Sequence, residues 1–431
     1  MKQGWEIKRL GEVLVKTETV DPTKKPNDEF IYLDVSSVNK ETKEIENASV
    51  LIGKDAPSRA RKLVRTNDVI FATVRPTHSR VALITEEYDE QVCSTGYFVL
   101  RGKEFIFNQY LFYFLLTDEF NEQMEKLQKG ASYPAVTDAE VKSILLRFPK
   151  SLPEQQRIVA ILDEAFAAIA KAKANAEQNL KNAKELFESY LHGVFENKGE
   201  GWEEKALDDI IESNIIGLTK NSTEQRSDYE YKYVKMNNIT RDNRFDLTKY
   251  TCVNATKLEA EKYSLLKGDF LFNTRNSYEL VGKTCLFEGY ENEVILYNNN
   301  IMRIRFIKTV NPHFINYSFT TPDIIKKLDS LKSGTTNVSA IYYKDLKNLK
   351  LLIPPLKSQQ TIVQKLDALS AETKKLEAIY QQKINDLEEL KKSILQKAFA
   401  GELRSPEGAE YTNDVATPIA KKKTITSPER A

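Results

Sequence analysis

The feature that most limits how this chain can fold is a helix written twice. "SLPEQQRIVAILDEA" runs from Ser151 to Ala165, and "PLKSQQTIVQKLDAL" runs from Pro355 to Leu369. Set side by side without a gap at an offset of 204, Glu154–Glu196 and Ser358–Ala400 agree at 15 of 43 positions. The matches include Gln155/Gln359, Gln156/Gln360, Ile158/Ile362, Val159/Val363, Leu162/Leu366, Asp163/Asp367, Leu186/Leu390, Leu191/Leu395 and Phe195/Phe399. Neither stretch contains proline, and Gly193 is the only glycine. Ser151 and Glu154 have capping-box spacing, and Pro153 suits a first turn. Leu162, Ile169, Ala176, Ala183 and Tyr190 recur every seven residues, with Phe166, Leu180, Phe187 and Val194 on the partner row and Lys173 as its exception. In the second copy Leu366, Thr373, Tyr380, Leu387 and Ile394 form one row, and Leu369, Leu376 and Leu390 an adjacent one. That is a coiled-coil seam. Each helix should be roughly 65 Å long at about 1.5 Å per residue. A lone helix would expose its stripe, so the two copies are expected to pack together, antiparallel because a domain lies between them.

The segments before each helix repeat more weakly. "GWEIKRLGEV" (Gly4–Val13) matches "GWEEKALDDI" (Gly201–Ile210). "NDVIFATVR" (Asn67–Arg75) matches "GDFLFNTRN" (Gly268–Asn276); each places Asp before an apolar strand and then a polar loop. "NQYLFYFL" (Asn108–Leu115) resembles "NPHFINYSF" (Asn311–Phe319), and "KGASYPAVTDAEVKSILLRFP" (Lys129–Pro149) parallels "SGTTNVSAIYYKDLKNLKLLIP" (Ser333–Pro354). The chain therefore reads domain, helix, domain, helix, and each domain mixes short strands with short helices, an α+β architecture. Trp5 and Trp202 are expected core anchors. The scaffold marks repeat while the residues between them differ, as they would if one frame carried two different readers.

These marks together resemble the specificity subunit of a type I restriction–modification system. The resemblance runs from Trp5 to about Leu403 and rests on "LPEQQRIV", "PLKSQQTIV", "AFAGEL" (Ala398–Leu403), "GASYPAVTD" (Gly130–Asp138) and the two Gly-Trp segments. It implies two target recognition domains, at 1–150 and 198–354, alternating with helical spacers at 151–197 and 355–403 that pair as an antiparallel coiled coil. Residues 404–431, polar and ending in "KKKTITSPERA", fall outside it and read as a disordered tail. One departure is Ser358, where the common form has Glu; it is a candidate helix cap.

The resemblance implies sequence-specific binding of double-stranded DNA, and the residues agree. The chain's net charge is only +1, which excludes a surface that is basic throughout but not a local basic face. Lys54–Arg80 holds seven Lys or Arg against Asp55 and Asp68. Within it Arg59, Arg61 and Lys62 are candidates for phosphate or guanine contacts. The loop after the strand offers Arg75, Thr77, His78, Ser79 and Arg80. The matching second-domain loop offers Asn273, Thr274, Arg275, Asn276 and Lys283, and "KMNNITRDNR" (Lys235–Arg244) and "YNNN" (Tyr297–Asn300) add amides. Arg suits a guanine edge and Asn an adenine, whereas phosphate contacts set register. Two readers on rigid spacers imply a bipartite target with an unread gap.

Nothing in the sequence supplies catalysis. "GKT" at Gly282–Thr284 lacks the first glycine of a P-loop, since position 277 is serine. No methyltransferase tetrapeptide or helicase motif is present. Cys93, Cys252 and Cys285 lie far apart and read as reduced structural residues. His78, His192 and His313 show no zinc spacing. The resemblance places the chemistry on partners: two modification (methyltransferase) subunits carrying S-adenosylmethionine, and restriction (motor and nuclease) subunits using ATP and Mg, with no cofactor in this chain. The Gln155–Asp163 face is a candidate docking surface for the two modification subunits. The N-terminus lacks the apolar core of a signal peptide and no apolar run is long enough to span a bilayer, so a cytoplasmic location is expected. A recognition subunit of a type IIB-like enzyme, or a coiled-coil scaffold without DNA contact, are the alternatives; the basic run argues against the scaffold.

Overall fold

The structure is a computed structural model that describes residues 3–290 and 293–403. The expected tail at 404–431 lies outside the described residues. The chain divides into two compact units, Met1–Ala174 with Lys383–Ala431, and Asn175–Gln382. Each unit takes one mixed domain and about half of each long helix.

In the first unit, Trp5–Arg9 pairs antiparallel with Leu145–Pro149 and returns the end of the domain to its start. Val69–Ala72, fully buried, is the centre of an antiparallel sheet between Val81–Leu83 and Tyr97–Leu100. A second sheet is ordered Ser49–Ile52, Glu29–Leu33, Val92–Ser94, Ala60–Leu63, its middle pair parallel. The second unit repeats this plan. Glu203–Ala206 pairs with Lys350–Ile353. Phe270–Asn273 lies between Thr284–Leu286 and Ile301–Phe306, and Tyr231–Val234 lies between Thr251–Val253 and the parallel strand Ile295–Tyr297. The two units are not identical. The strand Ala60–Leu63, which carries part of the basic run, has no strand counterpart; the helix Lys257–Tyr263 stands in that part of the chain.

The aspartates before the matching strands have a common task. Asp68, 1% exposed, receives both arms of Arg101 at 2.7 Å, and its carboxylate also accepts the Arg65 N–H at 2.9 Å. Asp269 accepts Arg305 at 2.6 and 3.0 Å and the Leu266 N–H at 2.7 Å. A buried carboxylate needs this full set of donors to persist as an ion. The pairing raises both arginine pKa values.

The repeated helices run Leu152–Glu196 and Leu356–Ala400, each unbroken over 45 residues. In the first unit they are antiparallel neighbours: Lys391 lies over the Phe166 ring at 4.9 Å, and Lys173, the exception in the heptad pattern, is an ion-pair partner of Glu388. Leu162, Ile169, Ala176, Ala183, Leu366 and Thr373 are buried as the seam requires, while Tyr190, Leu376 and Leu390 are partly exposed. Ser151 precedes the first helix and its carbonyl accepts the N–H groups of Glu154 and Gln155. Ser358 does not cap the second helix. It lies inside the first turn, and the Pro355 carbonyl takes the capping role.

The first glutamine of each Gln-Gln pair has a structural task, while Gln156 and Gln360 are exposed. Gln155 and Gln359 are 0% exposed. The Gln155 amide accepts the Phe107 N–H at 2.9 Å and donates to the Phe105 and Pro149 carbonyls at 3.0 and 2.9 Å. Gln359 does the same for the Asn311 N–H and the Thr309 and Pro354 carbonyls at 2.7, 3.1 and 2.8 Å. Tyr113 donates to Asp163 at 2.5 Å and Tyr317 to Asp367 at 2.6 Å. The expectation that Gln155–Asp163 forms a docking face is therefore corrected. Gln155, Ile158, Val159 and Leu162 are buried against their own domain, and Asp163 holds a tyrosine of it. Trp202 meets Phe195 and Phe314 edge to face, and Trp5 packs on the first core.

Candidate nucleic-acid interface

In the first unit the chain leaves strand Val69–Ala72 through Thr73, whose N–H and hydroxyl both donate to the Gly96 carbonyl at 2.8 and 3.0 Å. Arg75 follows with φ +50°, then a tight turn Pro76–His78, then Ser79 with φ +46°. Two non-glycine residues in the left-handed region around one three-residue turn are costly, on the order of 1 kcal/mol or more each, and need support. The support is present. Ser79 donates to Asn121 Oδ1 at 2.6 Å, and Lys43 donates to the Ser79 carbonyl at 2.6 Å. Arg80 donates to the Val38 carbonyl. Burial, with Lys391 close by, pulls the Lys43 amine down to about 8. Thr77 and His78 project exposed from the turn.

The same geometry sorts the basic run. Lys62 donates to the Tyr97 carbonyl at 2.6 Å and pairs with Asp138 at 2.9 Å. Arg61 donates to the Ala60 carbonyl at 2.8 Å and lies 3.5 Å from Asp21. Arg65 pairs with Glu18. Among the described residues, the side chains of Lys54, Arg59 and Arg75 have neither a hydrogen bond nor an ion pair. Arg59 is tied to this turn through backbone: its carbonyl accepts the Thr95 N–H, next to the Gly96 that holds Thr73.

In the second unit the corresponding loop is braced differently. Asn273 is 0% exposed. It donates to the carbonyls of Arg275 and Asn300, both at 3.0 Å, and accepts from Asn276 at 2.9 Å. Lys283 donates to the carbonyls of Met236 and Ile239, and its burial lowers its pKa. These groups, expected as base or phosphate contacts, are turned inward. Thr274 is half-buried and Arg275 is exposed. Asn238, from the other amide-rich stretch, spans the Lys235 N–H and the Asp246 and Lys249 carbonyls.

One element of both sites was missed. Each loop pairs with a short hairpin. Val74 bridges Ala135 and the Arg75 N–H donates to Pro134 at 2.7 Å; Arg275–Asn276 pairs with Ser339–Ala340, and the Tyr278 N–H donates to Thr336 at 3.0 Å. The hairpins present Tyr133, 73% exposed, and the exposed run Thr335–Val338. Their signal in the sequence was the repeated glycine-polar turn, with Gly130 at φ +101° and Gly334 at φ +121°. Among the described residues, no cluster of three or more His, Cys, Asp or Glu is arranged to hold a metal ion. All three cysteines are buried and unpaired, and burial pushes the Cys93 thiol up to about 12.

Two equivalent loops, each carried on a matching sheet, together with two helix starts that seat a matching buried glutamine, define a duplicated frame. Residues 2–181 and 199–389 match the family model described as the type I restriction modification DNA specificity domain. The chain belongs to this family of specificity subunits. It is 24% identical over 433 residues to the type I restriction enzyme EcoKI specificity subunit of Escherichia coli K12, spanning 95% of this chain and 91% of that one. It is 32% identical over 168 residues to the putative MjaX specificity subunit of Methanocaldococcus jannaschii, 38% of each chain. The crystal structure of the HsdS subunit from Thermoanaerobacter tengcongensis is similar with a TM-score of 0.64 at 29% identity, covering 94% of this chain and 98% of that one. A chain from a study of assembly and conformational transition of the type I R-M system reaches 0.79, also at 29% identity, covering 94% and 99%. The α+β architecture with two long paired helices is thus the family's.

Proposed function

We propose that the two units each read one half of a bipartite double-stranded DNA target, and that the chain positions other subunits without itself making or breaking bonds. The observation that carries this reading is the repeated frame with unlike loops: Gln155/Gln359 and Asp68/Asp269 do the same work, while the first turn exposes Arg75, Thr77 and His78 and the second loop Arg275, Tyr278 and Glu279, alike only in the arginine. In the first half-site Arg59, Arg75, Thr77 and His78 are the contacts; in the second, Arg275 and the hairpin Thr335–Val338. Lys62, Arg80, Asn273 and Lys283 act as braces.

The partners are two modification subunits, which bring S-adenosylmethionine, and restriction subunits, which bring ATP and Mg. A second set of matches supports paired docking. Ala167/Ala371, Lys171/Lys375, Ala174/Ala378, Gln178/Gln382 and Glu185/Glu389 are identical in the two helices and exposed in both. Steps of three, four and seven put them on one helix face, away from the seam. Burial does not explain their identity, whereas two copies of one partner do. Among the described residues no helix is long and apolar enough to cross a membrane, and a protein acting on DNA belongs in the cytoplasm. Genome-wide methylation in a host with the partner methyltransferase, with and without this gene, tests the reading. One bipartite motif should disappear with the gene. No change, with the complex assembled, overturns it.

A further inference from the structure

Arg75 stands apart from the other cations of the basic run. Its backbone is held at φ +50°, ψ +58° by the N–H bond to Pro134. Its guanidinium carbon lies 5.4 Å from the centroid of the Tyr133 ring. Both side chains are exposed, Tyr133 at 73%, and among the described residues the guanidinium has no carboxylate or carbonyl partner. The hairpin under the ring is itself fixed. Lys129 and Ala135 exchange two backbone bonds at 2.9 Å, and Gly130 at φ +101° leaves room that a Cβ would lose, 2.9 Å from the Tyr133 carbonyl. A large aromatic ring held in solvent is not explained by packing.

A phosphate contact does not need this. A cation reaching a phosphate tolerates many orientations, whereas bidentate recognition of a base edge needs the guanidinium plane fixed. We propose that Tyr133 is a positioning residue that aims Arg75 at a guanine edge in the half-site read by the first unit. This rests on the DNA-reading function proposed above. The second unit keeps a tyrosine–cation pair between the same two loops in a different form: Lys332, from the base of the hairpin, lies 4.5 Å from the Tyr278 ring centroid and donates to its carbonyl at 2.7 Å. Lys332 also pairs with Asp329 and is nearly buried, so it braces its loop rather than reaching outward.

The test uses the full chain assembled with its modification subunits, and duplexes carrying the methylated motif or one altered base pair at each read position. Arg75→Ala should erase discrimination, roughly tenfold, at a single G·C pair of one half-site. Tyr133→Ala should reduce discrimination at that same pair several-fold, leaving the other half-site and the salt dependence of binding unchanged. Tyr133→Phe keeps the ring and should restore it. Thermal melting of each variant separates loss of fold from loss of aim. The inference is overturned if Arg75→Ala weakens all duplexes equally and lowers the salt slope by about one. It is equally overturned if Tyr133→Ala leaves the Arg75 position fully discriminated. If the wild-type complex shows no half-site preference at all, the DNA-reading function itself fails, a result that these variants cannot mimic.

Discussion

A single buried amide does much of the joining in this molecule. Gln155 satisfies one N–H and two carbonyls at the point where the first helix leaves its domain. Gln155→Leu keeps the size and strands all three groups. Chemical denaturation should show a loss of about 2–4 kcal/mol, whereas Gln156→Ala, at an exposed neighbour, should stay within about 0.5 kcal/mol. Equal small effects would contradict the assignment. Lys43 carries a pH signature. Its folded amine releases its proton near pH 8, while an unfolded lysine holds it to about 10.4. Between those values the unfolded chain binds the extra proton, so the stability linked to Lys43 rises with pH across that window and is flat below it. Urea midpoints of the wild type should therefore gain on those of Lys43→Met between pH 7.5 and 10; a constant difference would refute this. At this scale the sequence was only partly legible. The repeat exposed Gln155 and Asp68 as special, but their partners lie 48 and 33 residues away. A glutamine near a helix start reads as surface, and its burial depends on partners that the sequence does not place beside it. Lys62, Arg80, Asn273 and Lys283 have the chemistry of DNA contacts, and their bonds to carbonyls of their own domain are tertiary and so not legible in sequence.

The helices were the most legible elements. A seven-residue period survives in sequence because each seam position meets the same surroundings turn after turn. The exceptions have local causes. Lys173 meets Glu388 at the seam's edge, and Thr373 is buried with its hydroxyl returned to the Leu369 and Ser370 carbonyls at 3.0 and 3.2 Å. The reading hairpins were the least legible elements, because two-residue strands such as Ser333–Gly334 carry no periodicity. The outer face of the helices carries its own prediction. Lys171→Glu combined with Lys375→Glu should lower capture of the modification subunit at least tenfold, and each single change should leave about one copy bound. Size-exclusion chromatography with mass detection reads the stoichiometry. Full capture by the double variant would remove this face from the interface.

At the scale of the whole molecule, duplication explains both what repeats and what does not. The frame is kept because each copy must close the same sheet and seat the same helix start; loops that read different bases, as proposed above, have no such reason to match. On the function proposed above, the two readers are independent and the helices set the gap between their half-sites. One measurement addresses this directly. A seven-residue insertion at the same level of both long helices preserves the seam and adds about 10.5 Å, close to three base pairs at about 3.4 Å each. Sequencing of methylated sites in cells carrying the lengthened protein should find both half-sites unchanged and the unread gap longer by about three base pairs. Active methylation at an unaltered gap, or at altered half-sites, would contradict the claim.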